Sequence, residues 1–96
     1  MTTVERAIEK YGKDAQLNVA IEELSELIKE ICKHKRGNNN RANIVEEIAD
    51  CYIMLEQLEI IFEIKALELH KMFQAKLSRL EKRLEERNEN GRRKAD

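Results

Sequence analysis

The chain has 96 residues, 39% of them charged and 42% hydrophobic, with no Pro, no Trp, three Gly and a net charge of −1. That length bounds it to one domain, and the composition suits helices and argues against a sheet protein. A balance this close to neutral gives no basic field to recruit nucleic acid, and no apolar run approaches a membrane span.

Thr2-Thr3-Val4-Glu5 reads as a capping box opening a short helix, with Val4, Ala7, Ile8 and Tyr11 as its apolar stripe. Met1 to Glu5 lacks the apolar core of a signal peptide, so a cytoplasmic protein is expected. Gly12 ends the first helix, and Asp14 is the expected N-cap of the second. The second helix is predicted over about Ala15 to His34. At about 100° per residue, Leu17, Ala20, Ile21, Leu24, Leu27, Ile28 and Ile31 fill one face. Glu22 and Glu26 lie nearly opposite, and Glu23 and Glu30 lie between, toward Gln16 and Leu27. On this helix alone, an acidic back is ordinarily a solvated one.

Arg36 to Asn40 reads as a turn, since Gly37 and three consecutive Asn continue a helix poorly. Asn43 is the expected cap of the third helix, with Glu46 completing the box. In that register Glu46 and Glu47 are also plain first-turn acids that favour the macrodipole. Asp50 has no such excuse. The third helix sets its core arc with Ile44, Ile48, Cys51, Leu55, Leu58 and Phe62. Glu47 falls inside that arc and Asp50 at its edge, beside Met54 and Ile61. Acids in an apolar seam are costly unless paired or metal-bound. Val45, Ala49, Tyr52, Ile53, Ile60 and Ile61 add further apolar sides, so this helix is expected to be central and partly covered by a second chain.

A break is predicted around Phe62 to Lys65. A fourth helix then runs to about Asn88, with Ala66, Leu69, Phe73, Leu77, Leu80 and Leu84 in a three-four alternation. Lys76 and Arg83 edge that seam, with Arg79 farther out. Snorkelling cations paired with Glu81 or Glu85 are the plain reading of all three. The plain reading of Cys32 and Cys51 is buried reduced thiols, and that of His70 a surface or seam-edge residue. Residues 89–96, with Arg92, Arg93 and Lys94, read as a flexible polar tail after a domain over 1–88.

Two acidic clusters therefore flank one turn, Glu22-Glu23-Leu24-Ser25-Glu26 before it and Glu46-Glu47-Ile48-Ala49-Asp50 after it. Folding this hairpin gathers like charges, and carboxylates about 4 Å apart repel by roughly 4 kcal/mol at an effective dielectric near 20. A bound divalent cation is the simplest compensation.

The pattern E-E-x-x-E, a linker from Leu27 to Glu46, then E-x-x-D resembles the MazG-like all-α nucleoside triphosphate pyrophosphohydrolases. The resemblance spans about Tyr11 to Arg83, with Lys76-Leu77-Ser78-Arg79-Leu80 like the family's basic segment on its last core helix. It implies an all-α helical bundle with a central acidic hairpin, completed by association into a homodimer or tetramer. It implies cleavage of a nucleoside triphosphate between the α and β phosphates, with Mg²⁺ (or Mn²⁺ in its place) held by Glu23, Glu26, Glu47 and Asp50. Glu22 or Glu46 would orient or deprotonate the attacking water, and the sequence does not decide which. Lys76 would serve the leaving phosphates, with Lys33, Arg36, Arg79 and Arg83 as further phosphate cations and Gln16 near the nucleoside. The rival expectation is a non-catalytic helical oligomer that binds a partner and keeps its acids solvated. Base and sugar preference, the number of metal ions and the biological role are not written in these residues.

Overall fold

The structure is a computed structural model that describes residues 1–90, with side chains described through residue 86. The described residues form four helices and no strand: α1 (Thr3–Tyr11), α2 (Lys13–Lys35), α3 (Arg41–Ile61) and α4 (Ala66–Asn90). The chain divides into two compact units, Met1–Glu63 with α1 to α3, and a second, beginning at Ile64, that carries α4. None of these helices is long and apolar enough to cross a membrane.

Helix α1 opens as expected. Glu5 N–H donates to Thr2 Oγ1 at 3.1 Å, and Thr2 N–H donates back to Glu5 Oε1 at 2.7 Å. Gly12 closes α1 at φ +92, a conformation that side-chain-bearing residues rarely adopt, and its carbonyl already accepts from Gln16 N–H. Gly12 rather than Asp14 is thus the N-cap of α2, and Asp14 lies within its first turn. Lys33, His34 and Lys35 end α2, where cations offset the macrodipole. Helix α3 starts at Arg41 instead of after Asn43, with Asn40 as N-cap. The Asn40 side chain does not cap α3, and the first turn holds no acid. Glu46, Glu47 and Asp50 are therefore the sixth, seventh and tenth residues of α3, too deep for a helix-start explanation.

In the first unit α2 and α3 form an antiparallel hairpin, and α1 packs on both, burying Ile8. The packing face of α2 differs from expectation. Gln16, Ala20 and Glu30 are buried, with Glu23 and Leu27 half-buried, whereas Ile21, Leu24, Ile28 and Ile31 are exposed (63%, 36%, 62% and 46%). The seam of α3 is Cys51, Met54, Gln57 and Ile61, while Ile48, Leu55 and Phe62 of the expected core arc are exposed. Cys32 is exposed and Cys51 buried, both as free thiols. So the stripe richest in apolar carbon faces away from the hairpin seam, and the mixed stripe faces into it.

The second unit is one amphipathic helix whose Leu69, Phe73, Leu77, Leu80 and Leu84 are exposed. It begins at Ala66, directly after the predicted break, and runs to Asn90. The polar tail expected over 89–96 therefore starts inside α4, and its remainder, 91–96 with Arg92, Arg93 and Lys94, lies outside the described residues.

Candidate functional site

The mixed seam places three acids together. Glu23 of α2 and Glu47 and Asp50 of α3 are half-buried, and each offers a carboxylate oxygen within 4.8 Å of the others. Glu47 and Asp50 share the face of α3 that meets α2 because they are three residues apart. Glu23 meets them because α2 turns its flank, not its apolar stripe, toward α3.

This proximity has an electrostatic cost. Glu23 is held above the ordinary carboxylate range by a hydrogen bond with Asp50, then by burial and by the charges of Asp50, Glu47 and Glu26. Glu47 is raised by burial, by Asp50 and by the charges of Glu26 and Glu46. The Cys51 thiol beneath them is raised by burial and by the same acids, and its Sγ donates to the Glu23 carbonyl at 3.5 Å. Among the described residues the one ion pair joins Lys33 to Glu30, so no lysine or arginine neutralises the trio.

Of the four expected metal ligands, then, three converge. Glu26 stays exposed outside the trio, near enough for its charge to act on Glu23 and Glu47. Glu22 and Glu46 are exposed. Three oxygen donors with no protein cation fit a hard divalent ion, which takes carboxylate oxygens and keeps several waters.

The expected phosphate cations are distributed differently. Lys33 Nζ lies 3.4 Å from Glu30 Oε2, and Arg36 is exposed at the C-cap of α2. On α4, Lys76, Arg79 and Arg83 line one shallow hollow with Phe73, Leu77 and Leu80. Gln16, expected near the nucleoside, lies in the α2–α3 seam. It is buried, and its Nε2 donates to Gln57 Oε1 at 2.6 Å. Three residues not singled out from sequence also shape this seam. Gln57 is 4% exposed, and Glu30 is buried while accepting from Asn40 Nδ2 at 2.7 Å. The same Nδ2 donates to the Glu30 carbonyl at 2.8 Å.

No protein-family model matches the chain, and neither does a curated protein or a solved structure.

Proposed function

We propose that this chain is a Mg²⁺-dependent nucleotide pyrophosphohydrolase of the MazG-like kind, converting a nucleoside or deoxynucleoside triphosphate and water to the monophosphate and pyrophosphate. The observation that carries the reading is the trio: three carboxylate oxygens within 4.8 Å across a helix seam, without a cationic partner among the described residues. Glu23, Glu47 and Asp50 would hold Mg²⁺ or Mn²⁺, with Glu26 at their edge. The ion supplies neutralisation of phosphate charge and a lower pKa for water.

The remaining chemistry belongs to side chains. Water adds to the α phosphorus, the α–β bridging P–O bond breaks, and the electron pair leaves with pyrophosphate. Glu22 or Glu46 takes the proton of the attacking water, and both face solvent where a water is available. Lys76, with Arg79 and Arg83 of the same α4 hollow, would be the cation for the pyrophosphate as it gains charge. Lys33 and Arg36 act as outer cations, since the 3.4 Å contact of Lys33 is long and exchangeable.

The reading includes a helical bundle completed by a second copy, as homodimer or tetramer. Its support is the exposed apolar stripe of α2 and the exposed Val45, Ile48, Tyr52 and Ile53 of α3. Free thiols and a nucleotide substrate suit the cytoplasm.

The test is a pyrophosphate-release screen over common and modified NTPs and dNTPs with Mg²⁺ and with Mn²⁺. Metal-dependent release is expected for at least one nucleotide, and silence across the panel counts against the enzyme. The exposed apolar faces equally suit a non-catalytic oligomeric scaffold. Melting with Mg²⁺ and a nonhydrolysable nucleotide separates the two. A ligand at 100 times its Kd adds about 2.7 kcal/mol, and no shift under any condition favours the scaffold.

A further inference from the structure

The polar groups of the α2–α3 seam recur at seven-residue steps. On α2 they are Gln16, Glu23 and Glu30. On α3, read in the opposite direction, Gln57 and Asp50 are likewise seven apart, and the third partner is Asn40 at the N-cap. The helices run antiparallel, so these residues meet as rungs. Gln16 bonds Gln57 at 2.6 Å, Glu23 faces Asp50 with carboxylate oxygens within 4.8 Å, and Glu30 accepts from Asn40 at 2.7 Å. At 1.5 Å per residue, successive rungs are about 10 Å apart.

The outer rungs differ from the middle one in kind. Each pairs an amide with an acceptor, so donor and acceptor match. The middle rung pairs two acids, which need a shared proton or a cation. Between the rungs lie Ala20, Leu27, Cys51 and Met54, small or flexible groups that specify an axial register weakly. A directional polar pair in an otherwise apolar seam specifies register well, as a lone buried Asn does in a coiled coil. A shift of one residue moves a side chain about 1.5 Å along the axis and about 100° around it, enough to dissolve the trio.

We propose that Gln16, Gln57, Glu30 and Asn40 are positioning residues: their two amide rungs lock the register of α3 on α2 and thereby aim Glu23 at Glu47 and Asp50. Gln16 takes this role in place of the nucleoside contact. The inference rests on the middle rung being the cation site of the proposed enzyme, and its test has one arm that needs no metal.

The variants are Gln57→Leu, and Gln16→Leu combined with Gln57→Leu, in the full chain. The single variant leaves a buried amide unpaired and should lower the Tm. The double variant replaces both partners by apolar groups, a change that is often nearly neutral, so its Tm should return toward wild type. Its register should not return. Cross-helix NOEs joining Glu23 to Asp50 should weaken or split, measured metal-free, and Mn²⁺ affinity should fall by about 10–100-fold, the usual loss when an outer-shell partner is removed. Glu30→Leu should act likewise, whereas Glu30→Gln, which still accepts from Asn40, should keep wild-type NOEs and affinity within a few-fold. A double variant with unchanged NOEs and unchanged Mn²⁺ affinity overturns the inference. If the wild-type chain binds no Mn²⁺, the cation reading fails and the NOEs alone decide the register: split or weakened peaks support it, an unchanged set refutes it.

Discussion

Asp50→Asn separates a metal site from a structural acid by the sign of its effect. Asp50 faces Glu23 and Glu47, with ligand oxygens within 4.8 Å. Two unit charges at that separation repel by about 0.9 kcal/mol in water-like surroundings and about 3.5 kcal/mol at an effective dielectric of 20. Glu23 and Asp50 are only half-buried, so solvent screening pulls the value to the low end, about 1 kcal/mol. Metal-free at pH 7, the variant should thus be the more stable protein, by about 4–8 °C in Tm for a domain of this size. The advantage should depend on pH. Glu23 and Glu47 titrate above their unfolded values, so the folded apo chain binds protons that the unfolded chain has released. Apo stability therefore falls as pH rises from the ordinary carboxylate range through the raised values. Below that range the acids are protonated, and the advantage of the Asp50→Asn variant should vanish. Glu30 and Glu5, both lowered, act in the opposite sense but are common to both proteins and cancel in the difference. In excess Mg²⁺ the order should invert, because saturating ion adds about 2.7 kcal/mol to the wild type and little to a variant lacking a ligand. Circular dichroism melts in EDTA and in Mg²⁺, at pH 4 and pH 7, measure all four corners. A Tm loss for Asp50→Asn in EDTA at pH 7 would refute the reasoning, since it would make Asp50 a stabilising partner.

Lys76→Ala should lower turnover by about 10²–10³-fold, the scale of removing one preorganised charge, with Lys76→Arg recovering part of it. Steady-state pyrophosphate release at saturating Mg²⁺ measures this, and near-wild-type turnover moves the phosphate role to Arg79 or Arg83. Gel filtration with light scattering at micromolar concentration should show dimers or tetramers, and a fully helical 11.3 kDa species would refute association. Glu63 holds a left-handed φ of +53 just after α3, a conformation costing a side-chain-bearing residue about 1–2 kcal/mol, so Glu63→Gly should raise the Tm by several degrees. An unchanged or lower Tm would mean that the glutamate side chain compensates.

The helices and their breaks were legible because their signals are local. The Thr2–Glu5 box, Gly12, the Asn run and the break from Phe62 to Lys65 act within a few residues of where they stand. Which face of each helix meets its neighbour was not legible. Periodicity locates an apolar stripe but not the partner that covers it, and the richest stripe of α2 lies outside the hairpin seam. Asp50 and Glu47 stand out from position in the arc of α3 alone, because an acid among apolar residues is conspicuous. Glu23 needed the acidic motif, since on its own helix it looks like a flank. Gln57 escapes notice because an uncharged amide in an apolar arc raises no alarm. The seven-residue recurrence of polar residues across both helices was the available signal. Asn40 reads as turn filler in the sequence, since its carboxamide acts across the hairpin rather than on its own helix start.

The outward apolar stripe of α2 and the polar character of the hairpin seam are two sides of one arrangement. A seam of about three turns on either side of Glu23 offers few positions, and here the polar rungs occupy Gln16, Glu23, Glu30, Asp50 and Gln57. Each occupied position removes an apolar side chain worth about 1.5–3 kcal/mol when fully buried. The amide rungs return only about 0.5–1.5 kcal/mol per hydrogen bond, and the acid rung without a cation is repulsive. The hairpin seam is thus too polar to hold this unit together by burial, while Ile21, Leu24, Ile28 and Ile31 lie unused on the outside. Those four have the area that the seam lacks. Under the proposed association they become the core and the hairpin seam becomes the site, a division of labour in which stability and ligand geometry are carried by different faces of the same helix. It follows that a polar substitution at Ile28, 62% exposed in the isolated chain, should destabilise far more than its exposure implies. Ile28→Asn should shift light scattering toward monomer and lower the Tm in a concentration-dependent way. If Ile28→Asn melts like wild type at every concentration, the outer stripe is surface and the compensation must lie elsewhere.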